Sequence, residues 1–452
     1  MTVPFDQPNS RIFYACQAVF VKERDFEGDE TFDPTSEGNN FLTGVQAVGV
    51  SSSNTSVSPL DVGRFQRSKV FYEPQDIEIT LERVINKNDN LFYSISTSQY
   101  TSGNDTYKST HFLNPANFGS KGAEDNNGKC LRNYDITVLY TPDRFSRLGS
   151  ALDGTDADKD DVISVSYRNC LITSISYNIS TDRITESITL TTKQIRYNSD
   201  FSTLSSYQLP IEFKPTDPTD PTTPRRGQDG DILKPHNILL HEDPCVLPAE
   251  VEQLFVAKDA AGGMATEAGQ PINGIQSIAI DVTIDYDRLT DVGEWRGGVD
   301  GKEHEQNRWT FVNLPVGVTC SFTGTLRQSM PYDSWANDGS ALKEIRNVDD
   351  IYTRASGDAR VFTTPFNPYY SAWSEPNRQI RICGSGLENP ATEWFIWDLG
   401  KKNYIDGIQY TGGDTSGGNV EATITYQNQY SDAVFIKVLD GIVLDIVNDG
   451  PY

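Results

Sequence analysis

The sequence lacks paired cysteine motifs, has few histidines and contains no long hydrophobic run, and each lack closes a class of function. The four histidines are His111, His236, His241 and His304. Only His236 and His241 are near one another, with no cysteine or carboxylate at ligand spacing, so a zinc site is not expected. The six cysteines, Cys16, Cys130, Cys170, Cys245, Cys320 and Cys383, form no CxxC pair. Most stand in strand-like contexts and read as small buried apolar side chains rather than disulfides. No run is long enough to cross a bilayer. Residues 1–7 show neither a basic n-region nor an apolar h-region, so the expectation is a soluble chain made in a cytosol, with no membrane partner.

Catalytic signatures are missing as well. GxSxG, Walker A, HExxH and GxGxxG contexts are absent, and Gly384-Ser385-Gly386 and Gly412-Gly413 read as turn glycines without a phosphate-loop lysine. The 63 acidic residues offer too many carboxylate pairs to single out a glycosidase pair. No catalytic residue and no cofactor is expected. Positive charge is scarce too: 38 Lys and Arg against 63 Asp and Glu leave a formal charge of −25. That balance argues against wrapping nucleic acid, which needs cations on the phosphates. An acidic surface can still line a conduit through which DNA slides without sticking, because like charge repels.

One acidic stretch resembles a calcium loop. In Asp153-Gly154-Thr155-Asp156-Ala157-Asp158-Lys159-Asp160-Asp161, the side chains of Asp156, Asp158 and Asp160 have the first, third and fifth ligand spacing. However, Asp161 stands where the loop needs glycine and Tyr167 where it needs a bidentate glutamate. A solvated acidic turn is the favoured reading.

What is abundant is β sequence. Tyr and Phe number 21 each, and Thr, Val, Ile and Tyr dominate periodic segments separated by Gly and Asn. The expected class is all-β with minor helix. The pattern also repeats. Gly44-Val45-Gln46-Ala47-Val48 and Asp61-Val62-Gly63 return as Gly274-Ile275-Gln276-Ser277-Ile278 and Asp291-Val292-Gly293. Further apolar positions follow: Ile77, Ile79 and Leu81 match Val318, Cys320 and Phe322, and Leu171, Ile175 and Tyr177 match Tyr404, Ile408 and Tyr410. Ile184, Ile188 and Leu190 match Val420, Ile424 and Tyr426. Matched positions two apart keep one face of each strand buried, as two copies of one β fold require.

The expected organisation is a first β domain over 1–213, a Pro/Thr/Asp linker over 214–230 and a second β domain over 231–452. Repeated proline in Lys214 to Pro224 makes the linker an extended spacer. Strands are expected at Cys16 to Val21, echoed at Gln253 to Val256, and at Val162 to Tyr167, Leu171 to Tyr177 and Ile184 to Thr192. Short helices are expected after Thr141-Pro142 and over Ser340 to Tyr352. Two excursions, 86–133 and 331–375, read as arms. All six tryptophans, Trp295, Trp309, Trp335, Trp373, Trp394 and Trp397, fall in the second half; Trp394 and Trp397 read as core or interface.

The run Gly44 to Ser51, the Asp61-Val62-Gly63-Arg64 turn, Asp76-Ile77-Glu78-Ile79-Thr80-Leu81-Glu82-Arg83-Val84 and Phe92-Tyr93-Ser94 resemble bacteriophage tail tube proteins. Those proteins carry a similar order of apolar strand, glycine turn, alternating strand and aromatic pair. The resemblance covers residues 40–97 and reaches the rest through the repeat. It implies a β-sandwich or barrel subunit with a flanking helix, stacked as rings around a DNA conduit in the tail of a virion. Its partners would be itself and other tail proteins, with DNA passing through unbound. Most such subunits hold one tube domain and form rings of six. Two tail-tube-like domains in one chain imply a trimeric ring with pseudo-sixfold symmetry, either a tail tube or a trimeric baseplate hub. Candidate lumen-facing residues are Glu78, Thr80 and Glu82 with Thr319, Ser321 and Thr323; the competing reading has them face outer solvent. A different class, a carbohydrate-binding tail fibre or spike, is allowed by the tryptophans. Its many short repeats are missing here.

Overall fold

Alternation of β-branched with hydroxyl residues sets the architecture, because successive strand residues point to opposite faces. The computed structural model describes residues 17–24, 40–42, 44–54, 56–57, 71–72, 75–85, 99–102, 105–109, 133–140, 163–198, 235, 238, 240, 245–248, 251, 255, 274–288, 310–313, 315–325, 378–385, 393–412, 420–428 and 433–439. The first half supplies β1 (Gln17–Arg24), β2 (Asn40–Phe41), β3 (Val45–Ser53), β4 (Ser56–Val57), β5 (Phe71–Tyr72), β6 (Asp76–Val84), β7 (Gln99–Ser102), β8 (Asp105–Ser109), β9 (Asn133–Tyr140), β10 (Ile163–Ser180), β11 (Ile184–Thr192) and β12 (Gln194–Asn198). The second supplies β13 (Ile275–Thr283), β14 (Tyr286–Arg288), β15 (Thr310–Val312), β16 (Gly317–Thr325), β17 (Arg381–Ser385), β18 (Glu393–Asp398), β19 (Tyr404–Thr411), β20 (Glu421–Asn428) and β21 (Val434–Leu439). The protein is all-β, and its named strands pair antiparallel.

Eight strands form one continuous path, β3-β6-β11-β10-β13-β16-β20-β19. Its first four strands come from the first half and its last four from the second, in matching order. The hydrogen-bonded β10–β13 ladder, with Tyr177 opposite Ile280, joins them. The pairings repeat as well as the order. Val48 faces Leu81 and Leu81 faces Ile188 in the first half. Ile278 faces Phe322 and Phe322 faces Ile424 in the second. Bulges fall at corresponding places, between Val45 and Ala47 and between Ile275 and Ser277. One face of this sheet is apolar: Ile77, Ile79, Leu81, Ile188, Leu190, Ile280, Val318, Phe322 and Ile424 are all buried. Slipping a strand by one residue would turn each outward, at about 1.5–3 kcal/mol per large side chain, so burial fixes the register.

A second layer covers the apolar face. In the first half it consists of β2, β1, β9, the beginning of β10, and β12; in the second it is β17-β18-β21, extended by β8 and β7. β10 belongs to both layers. Its beginning pairs with β9 and β12, and its remainder with β11 and β13. The expected break between Tyr167 and Leu171 is instead a bulge inside an 18-residue strand. There Asn169 turns the chain at φ 55°, a region few residues other than glycine and asparagine enter. In the second half the same course is two strands, β18 and β19, and Gly400 takes the turn at φ 80°.

The minor helix stands at an unexpected place. Val251 and Phe255 are helical, where a strand over Gln253 to Val256 is the sequence expectation. Phe255 is buried against the repeat's opening strand. A Cβ added to Gly274 would lie 2.5 Å from the Phe255 carbonyl oxygen, so a glycine at this point of the repeat is what lets the helical turn approach. β7 and β8 give the 86–133 excursion a hairpin of its own. The linker, the two expected helices and the glycine turns at Gly63 and Gly293 lie outside the described residues. Among the described residues no helix is long and apolar enough to cross a membrane.

Candidate assembly surfaces

The outward face of the eight strands is built from hydroxyls, amides and carboxylates. The residues Glu78, Thr80 and Glu82 on β6 and Thr319, Ser321 and Thr323 on β16 share this face. The ladders link them through Thr191, Thr189 and Ser187 on β11, Ser174 and Ser176 on β10, and Asp281 on β13. β20 adds Glu421, Thr423, Thr425 and Gln427. Among the described residues no Lys or Arg stands within the eight strands on this face; at its ends Lys193 meets Asp76 at 3.7 Å and Arg183 is exposed in the turn between β10 and β11. Cross-strand hydrogen bonds hold the short side chains: Ser176 Oγ donates to Asp281 Oδ1 at 2.6 Å across the junction between the halves. Thr323 and Thr423 hydroxyls meet at 3.0 Å. Such a surface presents negative and neutral groups to whatever lies beyond it, and nothing to hold a phosphate.

Behind the face, buried ion pairs tie neighbouring strands together. Asp135 on β9 stands 4.0 Å from Arg168 on β10, and Arg381 on β17 stands 2.9 Å from Asp398 on β18. The two pairs occupy corresponding positions with their charges exchanged between strands. Arg83 and Glu186 lie 3.5 Å apart in the core, and the Tyr177 hydroxyl donates to Glu186 at 2.7 Å. Burial, then the Glu186 charge, holds the Tyr177 phenol well above its ordinary pKa. The Tyr177 ring meets Trp397 and Phe435 edge-on at 5.6 Å each, so the first half's β10 is packed under the second half's covering layer. Trp397 thereby takes the core role expected of it. Trp394 lies on β18. Cys170, Cys245, Cys320 and Cys383 are free thiols. Burial first, then Asp281, pushes the Cys320 thiol up, which makes it inert.

The two ends of the sheet carry the signal that sequence reasoning missed. β10 and β13 are central, and their facing pair, Tyr177 and Ile280, is fully buried. The corresponding residues at the ends are Tyr410 on β19 and Val50 on β3. Val50 is 42% exposed, and Tyr410 is half-buried. Among the described residues, apolar positions that are fully buried at the junction are therefore only partly covered at the ends. The signal that could have found this is the pairing of the Leu171–Tyr177 segment with the Gly274 strand. Asp156, Asp158 and Asp160 lie outside the described residues, as do all four histidines.

No family model and no curated protein matches the chain. Among solved structures, the chain is similar to a chain of an anti-feeding prophage baseplate at 8% identity and TM-score 0.22, over 41% of this chain and 95% of the other. It is similar to a chain of an extracellular contractile injection system, the PVC sheath-tube complex in the extended state, at 15% identity and TM-score 0.23, over 43% and 95%. It is similar to an Hcp protein at 10% identity and TM-score 0.19, over 41% and 94%. At these values the likenesses carry no weight, and the functional reading rests on the strands and their register.

Proposed function

We propose that this chain is a structural, non-enzymatic protein of a phage tail, assembling head-to-tail into rings that stack as the tube through which DNA leaves the capsid. The observation that carries this reading is the contrast between Ile280, buried at the internal junction, and Val50, its counterpart, 42% exposed at the free end. A sheet whose first edge, β3, resembles β13 and whose last edge, β19, resembles β10 can repeat the β10–β13 junction between chains. In the transferred register Tyr410 of one chain faces Val50 of the next, and Gln409 faces Ser51. The order of strands also supports reading 1–213 and 231–452 as two copies of a tube domain joined by 214–230.

Ring closure by three chains, each carrying two copies of the domain, fills six positions. With strands about 4.8 Å apart, three sets of eight strands close at about 37 Å across, and strand tilt widens this further. The face bearing Glu78, Thr80, Glu82, Thr319, Ser321 and Thr323 then lines the bore, and its lack of cations lets DNA slide without being held. The protein's partners are further copies of itself and other tail proteins, and it resides in the virion after synthesis in the host cytoplasm. Negative-stain electron microscopy of the purified protein tests the reading: open-centred rings or stacked tubes are expected, and compact monomers at high concentration contradict it.

A further inference from the structure

Among the described residues the outer edge of β12 has no neighbouring strand, while its counterpart has one. β12 pairs with the beginning of β10, Tyr197 facing Val165. In the second half β21 pairs with β18 in the same arrangement, Lys437 facing Phe395. The equivalence is anchored by the ion pairs one strand away, since Arg168 and Asp398 occupy the same place against Asp135 and Arg381. β21 has a strand on its other side as well: β8 pairs with it antiparallel, Lys437 facing Lys108 and Ile436 facing Ser109. Among the described residues β12 has none there. Tyr197, which stands where Lys437 does, is 70% exposed. Tyr140 and Tyr167 are near it: burial, then the Tyr140 and Tyr197 phenols, pushes Tyr167 up to about 12.

An exposed antiparallel edge with a large apolar side chain is a template for strand addition. The internal contact indicates what fills it. β8 lies in the chain between β6 and β9, and it crosses from the first half to cover the second. The segment in the corresponding place of the second half, between β16 and β17, includes residues 331–375. Moving the internal contact on by one repeat carries that segment from the second half of one chain to the first half of the next. We infer that the outer edge of β12 accepts an antiparallel strand from residues 331–375 of a second copy of this chain, with Arg196 and Tyr197 at the paired positions. This rests on the head-to-tail reading and deepens it: each chain would reach its neighbour twice, by the β19–β3 ladder and by an arm laid on β12.

The test replaces Tyr197 with the photoreactive p-benzoylphenylalanine, a conservative change at an exposed site, in an equal mixture of isotopically heavy and light full-length chains. After illumination, heavy–light cross-linked peptides are identified by mass spectrometry, and the same sample is viewed by electron microscopy. Rings with heavy–light links from position 197 into 331–375 are the expected result. Rings whose links go elsewhere, or only within one chain, overturn this inference and leave the ring reading standing. Absence of rings overturns both.

Discussion

Arg83 and Glu186 show how much one buried pair can hold. Both are almost wholly inaccessible, and Tyr177 adds its hydroxyl to the same carboxylate. Removing one partner strands the other charge in an apolar layer, where it is poorly solvated. Arg83→Ala is expected to cost about 3–5 kcal/mol, read from chemical denaturation, while replacing both residues with apolar ones of similar volume costs far less. A loss below about 1 kcal/mol for the single change contradicts this account. Cys320 makes the opposite case. It is buried and corresponds to Ile79, so Cys320→Val should change stability by less than about 1.5 kcal/mol and leave assembly intact. At this scale the sequence was partly legible. The interchange of Cys320 with Ile79 revealed an apolar role, because burial selects for size and polarity. The exchanged pairs Asp135–Arg168 and Arg381–Asp398 were not legible, because charge reversal preserves an ion pair while erasing residue identity.

Among elements, β3 and β19 matter most because they end the sheet. Their apolar positions repeat those of β13 and β10, yet lie partly open. Tyr410→Ala should therefore leave the thermal midpoint of the isolated chain within a few degrees while abolishing ring formation, as read by sedimentation velocity. Equal loss of folding and assembly would instead make Tyr410 an ordinary core residue. Alternation over Ile184 to Thr192 gave that strand to the residue, since a half-buried strand writes its period into the sequence. Continuity of β10 was hidden, because Asn169 and its bulge resemble a turn when read without the β9 and β12 ladders. The hairpin in the 86–133 excursion was equally hidden, since its pairing partner β21 lies more than three hundred residues away. The helical state of Phe255 is hidden in the sequence, because the apolar residues of Gln253 to Val256 are equally compatible with a strand.

For the whole molecule, the distribution of charge is the functional variable. Joint substitution of Glu78, Glu82, Asp281 and Glu421 by lysine should turn a face without cations into one that holds duplex DNA. Fluorescence anisotropy should detect binding that falls steeply between 50 and 200 mM salt, as phosphate neutralisation requires. No gain over the parent protein would place that face away from the bore.

Assembly in one defined register is the central claim, and a disulfide measures it most directly. With Gln409→Cys and Ser51→Cys in one chain, facing strand positions come within bridging distance only if β19 meets β3 as β10 meets β13. After mild oxidation, a non-reducing gel should show one, two and three linked chains and nothing larger. A pair shifted by one residue, Gln409→Cys with Ser52→Cys, should give far less. Rings that yield no link at the predicted pair, or a ladder running well past three chains, would contradict the account.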